Sequence, residues 1–364
     1  MKVIHVVCNP STGVLSLITS LVAEQSKSKD VNFSLMVIYD KTINIKEVDS
    51  SFVNFDVKKI YSPLKINTIF YFIFYILSKF FIFFNQKNTF YHFHNAQMSA
   101  AFLNKKNQNN SLITIHGFPA YDSFMANKKS IVRKLHFLFF KRIVLKKLIV
   151  SSVDYLSLEK IKKCFGTDLT NSFVIPNCCN LNLPTVSSDE RRNTIRFVFI
   201  GAIDENKGIS NIVNVFNTLI ENYELHVFGL GEKLYSLIDN NVNNKKIFFY
   251  GNVQRSEILK LLPLFDVYIS FSHTEGFSMS FIEALASGLS VITTDWGDVR
   301  RYINNNGYII NRNEEDLERH ILKFFENDRI ILNEMKGESI KIFQQNLSPL
   351  IVSDQYQIIY EKSK

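Results

Sequence analysis

Two carboxylates, Glu275 and Glu283, stand eight residues apart in the run His273-Thr274-Glu275-Gly276-Phe277-Ser278-Met279-Ser280-Phe281-Ile282-Glu283. The run follows an apolar stretch, Val267–Phe271, that reads as a strand, and it passes into a short helix stopped by Gly288. Glu275 then lies in a loop and Glu283 in the first helical turn, with the backbone amides of residues 277 to 280 at the helix start. Such amides suit oxygen-rich ligands. A strand-to-helix turn of this kind lies at the carboxyl edge of a parallel sheet, where open α/β folds bind their ligands. A plainer reading stands beside this one. Ser280-x-x-Glu283 fits a capping box, and Glu275 fits a solvated loop acid.

A second turn of the same kind is Phe199-Ile200-Gly201-Ala202-Ile203-Asp204-Glu205-Asn206-Lys207-Gly208. It places one cation, Lys207, just before a helix with apolar residues at 212, 213, 215 and 216. Taken alone, Lys207 reads first as a solvated loop lysine. Leu225–Phe228 runs into Gly229-Leu230-Gly231, a weak signal because tight strand-to-helix turns favour glycine in any case. Gly251-Asn252-Val253 follows another strand. In the first half, His116 ends the strand Leu112–His116, and Gly13 sits in the turn Asn9–Gly13 after the first strand. A structural histidine and an ordinary turn glycine are open alternatives there. His92 and His94 flank Phe93 on a neighbouring strand and read as packing or cleft-wall residues. No Asp-x-Asp occurs and no Cys/His cluster has metal-ligand spacing, so no metal and no cofactor is expected.

The elements that position these residues alternate along the whole chain. Val3–Val7, Phe33–Tyr39, Thr89–His94, Leu112–His116 and Leu148–Ser152 read as strands, with Val14–Lys27 and the apolar Ile66–Phe84 as helices. A polar stretch follows, and the pattern restarts with Arg196–Ile200, Leu225–Phe228, Ile247–Tyr250, Val267–Phe271 and Ser290–Thr294. Apolar strands separated by helices imply parallel sheets covered on both faces. The expected organisation is a first α/β domain over 1–178, a linker over 179–194, a second α/β domain over 195–345 and a final helix over 346–364 that packs back on the first domain.

The Glu275-x7-Glu283 run, followed by Ala-Leu-Ala-Ser-Gly and an apolar strand, resembles the nucleotide-binding domain of family 4 glycosyltransferases of the GT-B fold. The resemblance covers Val198 to about Phe325. It implies two Rossmann-like domains facing across a cleft, with a C-terminal helix crossing back. It further implies that Glu283 holds the ribose hydroxyls and that Glu275 contacts the donor sugar. Gly276 and the main-chain amides of Phe277 and Ser278 meet sugar hydroxyls, while Ser280 and Phe281 lie where the helix start approaches the diphosphate. Lys207, beside Gly201, aligns with a lysine that clamps the diphosphate. Val253 aligns with a base contact, Gly13 with a glycine-rich loop near the diphosphate, and His116 with a histidine that points at the donor sugar. Asp298, Arg300 and Arg301 fall at the cleft edge without an assigned role. One position departs from the pattern, since the family usually has Arg where this chain has Ala202.

The chain has 364 residues and a formal net charge of +8, which suits phosphorylated substrates, an anionic membrane or nucleic acid. No nucleic-acid module is recognisable, so nucleic acid is not an expected partner. Residues 123 to 153 contain no acid and carry Lys128, Lys129, Arg133, Lys134, Lys141, Arg142, Lys146 and Lys147 among phenylalanines and leucines. That segment, 128–147 in particular, points to an anionic membrane surface. Ile66–Phe84 is 19 residues with one charge, but it sits inside a continuing α/β series and reads as a buried or membrane-leaning helix rather than a span. Cys8, Cys164, Cys178 and Cys179 suggest no disulfide framework, and the start of the chain reads as a first strand rather than a secretory signal. A cytoplasmic protein on the inner face of the membrane is therefore expected. Its partners are a nucleotide sugar, UDP-linked in preference, and a lipid-linked saccharide acceptor. The expected activity is metal-independent, retaining hexosyl transfer in O-antigen, lipopolysaccharide or capsule assembly. A nucleotide-sugar epimerase, a non-catalytic nucleotide-sugar-binding subunit and an integral membrane protein are the alternatives.

Overall fold

The structure is a computed structural model. It describes residues 1–9, 12–27, 31–43, 56–77, 87–95, 99, 101–103, 107–117, 134, 138, 141, 148–165, 169–181, 194–326 and 329–362. The chain divides into two compact units, one of Met1–Cys178 with Pro349–Lys364 and one of Cys179–Ser348.

The first unit is built on a seven-stranded parallel sheet. Its strands are β1 (Lys2–Cys8), β2 (Asn32–Tyr39), β3 (Val57–Tyr61), β4 (Thr89–Phe93), β5 (Ser111–Ile115), β6 (Ile149–Ser152) and β7 (Ser172–Val174). They lie in the order β3-β2-β1-β4-β5-β6-β7. Four described helices accompany them: α1 (Thr12–Gln25), α2 (Thr68–Leu77), α3 (Tyr155–Phe165) and α10 (Pro349–Lys362). Side chains alternate across a strand, and here the two faces differ in kind. Ile4, Val6, Tyr91, Phe93, Ile113, Ile115 and Val150 form an apolar core with Phe70, Tyr71, Leu158 and Ile161. The opposite face carries His5, His92, His94, Thr114 and Ser151 and lies under α1 and α10, which pack on each other.

The second unit is a six-stranded parallel sheet of β8 (Ile195–Ile200), β9 (Tyr223–Phe228), β10 (Ile247–Gly251), β11 (Val267–Ser270), β12 (Ser290–Thr294) and β13 (Gly307–Ile310), in the order β10-β9-β8-β11-β12-β13. Its helices are α4 (Ile209–Thr218), α5 (Leu234–Asn240), α6 (Arg255–Leu261), α7 (Met279–Ala286), α8 (Glu314–Glu326) and α9 (Arg329–Asn346). α4 shows why the sequence folds this way. Ile209, Ile212, Val213, Val215 and Phe216 recur at helical spacing, and all are buried against Phe197, Leu225 and Phe324.

Both sheets reverse their strand order next to the first strand of the unit, between β1 and β4 and between β8 and β11. These are the switch points at which such sheets open a crevice. Two Rossmann-like α/β units are thus what the alternating pattern predicted. The edge strands β3, β7 and β13 were not anticipated, being short and exposed or mixed in burial. The expected helix over Ile66–Phe84 is described only as the ten residues of α2, and residues 78–86 lie outside the described part. Among the described residues, no helix is long and apolar enough to cross a membrane.

Candidate functional site

The loops after β8 and β11 meet at the switch point of the second unit. Asn206 ties them together. Its carbonyl accepts from the His273 amide at 2.7 Å, its Nδ2 donates to the Thr274 carbonyl at 3.1 Å, and its Oδ1 accepts from Thr274 Oγ1 at 3.0 Å. Gly208 sits between the first loop and α4 at φ 64°, and a Cβ there would lie 2.7 Å from the Phe271 carbonyl oxygen. Only glycine combines that left-handed backbone with so close an approach. Arg312, just past β13, donates to Phe271 O at 3.2 Å and to Glu205 O at 3.0 Å, so it braces both loops.

Lys207 and Glu275 are brought together by this arrangement. Lys207 Nζ donates to Glu275 Oε1, and Ser272 Oγ donates to the same oxygen at 3.0 Å. Both side chains are largely shielded, at 22% and 12% exposure. The site therefore pairs a cation, Lys207, with an anion, Glu275, at the carboxyl edge of the sheet. Ala202 is exposed on the same loop.

Glu283 is placed differently from expectation. α7 starts at Met279 with Ser278 as its N-cap, and no side chain caps it. Glu283 is therefore the fifth helical residue, beyond the first turn, and the Ser280-x-x-Glu283 capping box does not form. Its carboxylate is 4% exposed and accepts from Arg255 Nε at 2.7 Å, with Arg255 Nη2 at 2.6 Å. Burial pushes its proton affinity up and Arg255 opposes this. Arg255 opens α6, just after Gly251-Asn252-Val253, and so links that loop to α7. Nothing in local spacing marks it, because the pair spans 28 residues.

The other candidates divide between backbone and side chain. Phe281 is fully buried and stacks edge-on with Trp296 at 5.4 Å, and Phe277 is 5% exposed against Tyr302 at 5.0 Å. Their side chains belong to the core, and what they can offer a ligand is main chain. Ser280 shares its hydroxyl with Tyr268 at 3.0 Å and Ser278 at 3.1 Å. The first amides of α7 lack intrahelical acceptors, as at any helix start. Gly201 and Gly276 are half-buried in the two loops, and Val253 is half-buried after β10. Gly229 has φ 147°, and a Cβ on it would lie 1.8 Å from Gly201 O, so the Gly-x-Gly turn rests directly on the Lys207 loop. Asp298, Arg300 and Arg301 form local ion pairs with one another's turn: Arg300 with Asp295 at 2.9 Å and Arg301 with Asp298 at 3.9 Å.

His116 and Gly13 belong to the first unit. Gly13 is the second residue of α1 rather than part of the preceding turn, since the helix begins at Thr12. His116 follows β5 and is half-buried, with its Nε2 3.2 Å from His94 Nδ1. Burial pushes it down to about 4, opposed by the Asn177 amide. His92 and His94 are buried, as expected for packing residues. Cys8, Cys178 and Cys179 are buried thiols outside any disulfide. Most of the basic segment 128–147 lies outside the described residues, of which Lys134, Leu138 and Lys141 are described and exposed.

Residues 186–341 match the family model of glycosyl transferases group 1. This stretch is a glycosyl transferases group 1 domain. An uncharacterized glycosyltransferase of Methanocaldococcus jannaschii is 28% identical over 182 residues, covering 47% of this chain and 46% of that protein. The O-antigen biosynthesis glycosyltransferase WbnH of Escherichia coli is 26% identical over 132 residues, covering 36% and 38%. The chain thus spans less than half the length of these curated relatives. Anabaena HepE in complex with UDP-glucose superposes over the whole of both chains with a TM-score of 0.74 at 13% identity, a likeness of fold. The glycosyl transferases group 1 domain takes in every element that carries Lys207, Arg255, Glu275 and Glu283, and the fold is GT-B.

Proposed function

We propose that the protein is a retaining glycosyltransferase that moves a sugar from a nucleoside-diphosphate sugar, UDP-linked in preference, to a lipid-linked glycan acceptor in surface polysaccharide assembly. The observation that carries this reading is the meeting of Lys207 and Glu275 at the switch point, with Glu283 buried against Arg255 on the adjoining helix. The O-antigen role of the Escherichia coli relative and the UDP-glucose bound to HepE support the acceptor class and the donor class.

The chemistry follows from these groups. A nucleotide diphosphate leaves as an anion, and charge that develops in the transition state is best met by donors already in place. Lys207 and the first amides of α7 supply them without a metal. Lys207 rests on Glu275. Binding a diphosphate draws Lys207 toward phosphate and frees Glu275 to accept hydrogen bonds from the donor sugar. Glu283, oriented by Arg255, accepts from the ribose hydroxyls. The leaving phosphate then takes the acceptor proton on the same face of the sugar, which retains configuration. Ala202 removes one customary cation from this set, which favours slow turnover. It also keeps a second reading in play, a subunit that binds nucleotide sugar without transferring it.

The membrane side of the proposal rests on the basic segment 128–147 and on α2, where Ile69, Ile73 and Ile76 recur at helical spacing and are 60%, 39% and 41% exposed. Peripheral binding at the inner face of the membrane is tested by sedimentation with anionic vesicles at low salt, and failure to bind sinks it.

The donor site is tested by calorimetric titration of UDP- and GDP-sugars in EDTA, with wild type and Glu283→Gln. Micromolar binding of one nucleotide class, weakened at least tenfold in the variant, is expected. No binding of any nucleotide sugar by the folded wild type would overturn the assignment.

A further inference from the structure

The polar face of the first sheet carries a connected line of imidazoles that the proposed reaction does not use. His5 Nε2 lies 2.9 Å from Gln25 Oε1, His5 Nδ1 lies 2.9 Å from His94 Nε2, and His94 Nδ1 lies 3.2 Å from His116 Nε2. His5 and His94 are 0% and 4% exposed. The rings of His5 and His94 stack at 5.2 Å and those of His94 and His116 at 5.4 Å. A neutral imidazole has one donor nitrogen and one acceptor nitrogen. In a line of such rings, fixing the proton on the first fixes it on all the others. Gln25 Oε1 can only accept, so His5 carries its proton on Nε2. His94 must then donate from Nε2 to His5 Nδ1, and His116 must donate from Nε2 to His94 Nδ1. The last nitrogen, His116 Nδ1, is left as an acceptor; it is buried, with the Asn177 side chain as its neighbour.

A second branch fixes Gln25 itself. Its Nε2 donates to Tyr360 Oη at 3.5 Å. Tyr360 then donates to His92 Nδ1 at 2.7 Å, and His92 Nε2 donates to Thr114 Oγ1 at 2.6 Å, which reaches Ser151 Oγ at 2.6 Å. One assignment serves every contact between members of both branches, with all four histidines protonated on Nε2. The final helix is what closes this branch, since it contributes Tyr360. His5, His92 and His94 are also grouped closely enough to suggest a metal trio. Each of their ring nitrogens already has a hydrogen-bond partner, so the relay uses the lone pairs a metal would need.

We propose that Gln25, acting through His5 and His94, sets which ring nitrogen of His116 carries its proton, so that these three are positioning residues for His116. The functional part of this inference rests on the transferase reading and on the resemblance, which implies that a histidine at the position of His116 points at the donor sugar. Burial supports it by keeping the rings uncharged. His5 and His116 are pushed down to about 4 and His94 well below its usual range. His116 therefore presents a neutral, fixed imidazole rather than an imidazolium.

The test is long-range 1H–15N NMR of the full chain labelled at histidine. His116 is expected as the Nε2–H tautomer in wild type and in Gln25→Glu, whose carboxylate also only accepts. In His94→Phe the His116 signal is expected to become a mixture of tautomers. Gln25→Leu provides the same perturbation from the far end if His94→Phe fails to fold. Wild-type His116 protonated on Nδ1 would overturn the proposal, as would a His116 tautomer unmoved in a folded His94→Phe or Gln25→Leu. Zinc that shifts His5, His92 and His94 together would overturn it in favour of a metal trio. In turnover assays the same variants are expected to lower kcat on the order of tenfold with KM for nucleotide sugar unchanged, because the wrong tautomer costs rate more than binding. The NMR result stands whether or not transfer is observed, so failure of the relay and failure of the transferase reading remain distinct.

Discussion

Acid should unfold the first unit before the second. His5, His92 and His94 are buried without charge, and burial holds all three below the ordinary imidazole range, His5 at about 4. In the unfolded chain each titrates near 6.5. Above that pH both states are neutral and the histidines cost nothing. As pH falls through 6.5 the unfolded chain takes up protons that the folded unit cannot, so stability declines until the folded value near 4 is reached. Between pH 7 and pH 5 a histidine shifted from about 6.5 to about 4 loses roughly 2 kcal/mol. His92 and His94, held well below the usual range by burial and by the neighbouring rings, and His116, lowered to about 4, add losses of the same sign. A domain is stable by only about 5–15 kcal/mol, so this is a large fraction of the total. The second unit has one such histidine, His226, lowered by burial with Glu224 opposing. Calorimetry at pH 7.5, 6 and 5 should show two transitions, one falling steeply with pH and the other much less. The steep one should take up more than one proton on unfolding at pH 5, and His92→Gln should reduce that uptake. Uptake of less than one proton, or two transitions that move in parallel, would refute the reasoning and mean that the rings are charged or hydrated in the folded state.

Other perturbations act on the second unit. Lys207→Ala leaves Glu275 with Ser272 alone and should cut kcat on the order of a hundredfold, read in a donor-hydrolysis or transfer assay, with the fold unchanged. Gly229→Ala puts a Cβ 1.8 Å from Gly201 O and should destabilise the second unit by roughly 3 kcal/mol or more, seen as a lowered midpoint in urea. Ala202→Arg adds a cation at an exposed loop position and should raise kcat several-fold at unchanged stability, whereas a variant no faster than wild type would show that the missing cation is not what limits turnover.

What the sequence disclosed depended on how far apart the interacting residues lie. Strand-to-helix alternation is local, so two parallel α/β units were readable from runs such as Val3–Val7 and Val267–Phe271. The Glu275 run and the Lys207 loop were readable for the same reason. Their meeting was not, because it depends on β8 and β11 being neighbours across the switch point and on Asn206 tying the loops. Arg255 was missed altogether, since a lone arginine after a glycine-containing turn has no distinguishing neighbour until α6 and α7 are brought together. Glu283 was set one turn too early because a capping box is a four-residue pattern, whereas the helix start was decided by Ser278. The relay did leave a trace, the period-two spacing of His92-x-His94 and Thr114-x-His116. That spacing puts polar groups on one face of a sheet that otherwise reads as uniformly apolar, and it gained meaning only when the final helix brought Tyr356 and Tyr360 onto that face.

The two switch points handle polarity in opposite ways, and the difference bears on what each unit can do. In the second unit charge is met by charge. Lys207 sits on Glu275 and Arg255 on Glu283, with both cations partly open to solvent, so an anionic ligand can reach the cationic side of either pair. In the first unit the polar groups are neutral, fully buried and already paired with one another, and a charge introduced there has no counter-ion within the network. Such a network resists a change of protonation and holds geometry instead. A site that must bind a diphosphate and release it needs the first kind of construction. A site that must present one ring in one orientation, turnover after turnover, needs the second. Under the proposed function, this division assigns donor charge recognition to Lys207, Glu275 and Glu283, and assigns His116 shape and hydrogen-bond direction rather than proton transfer.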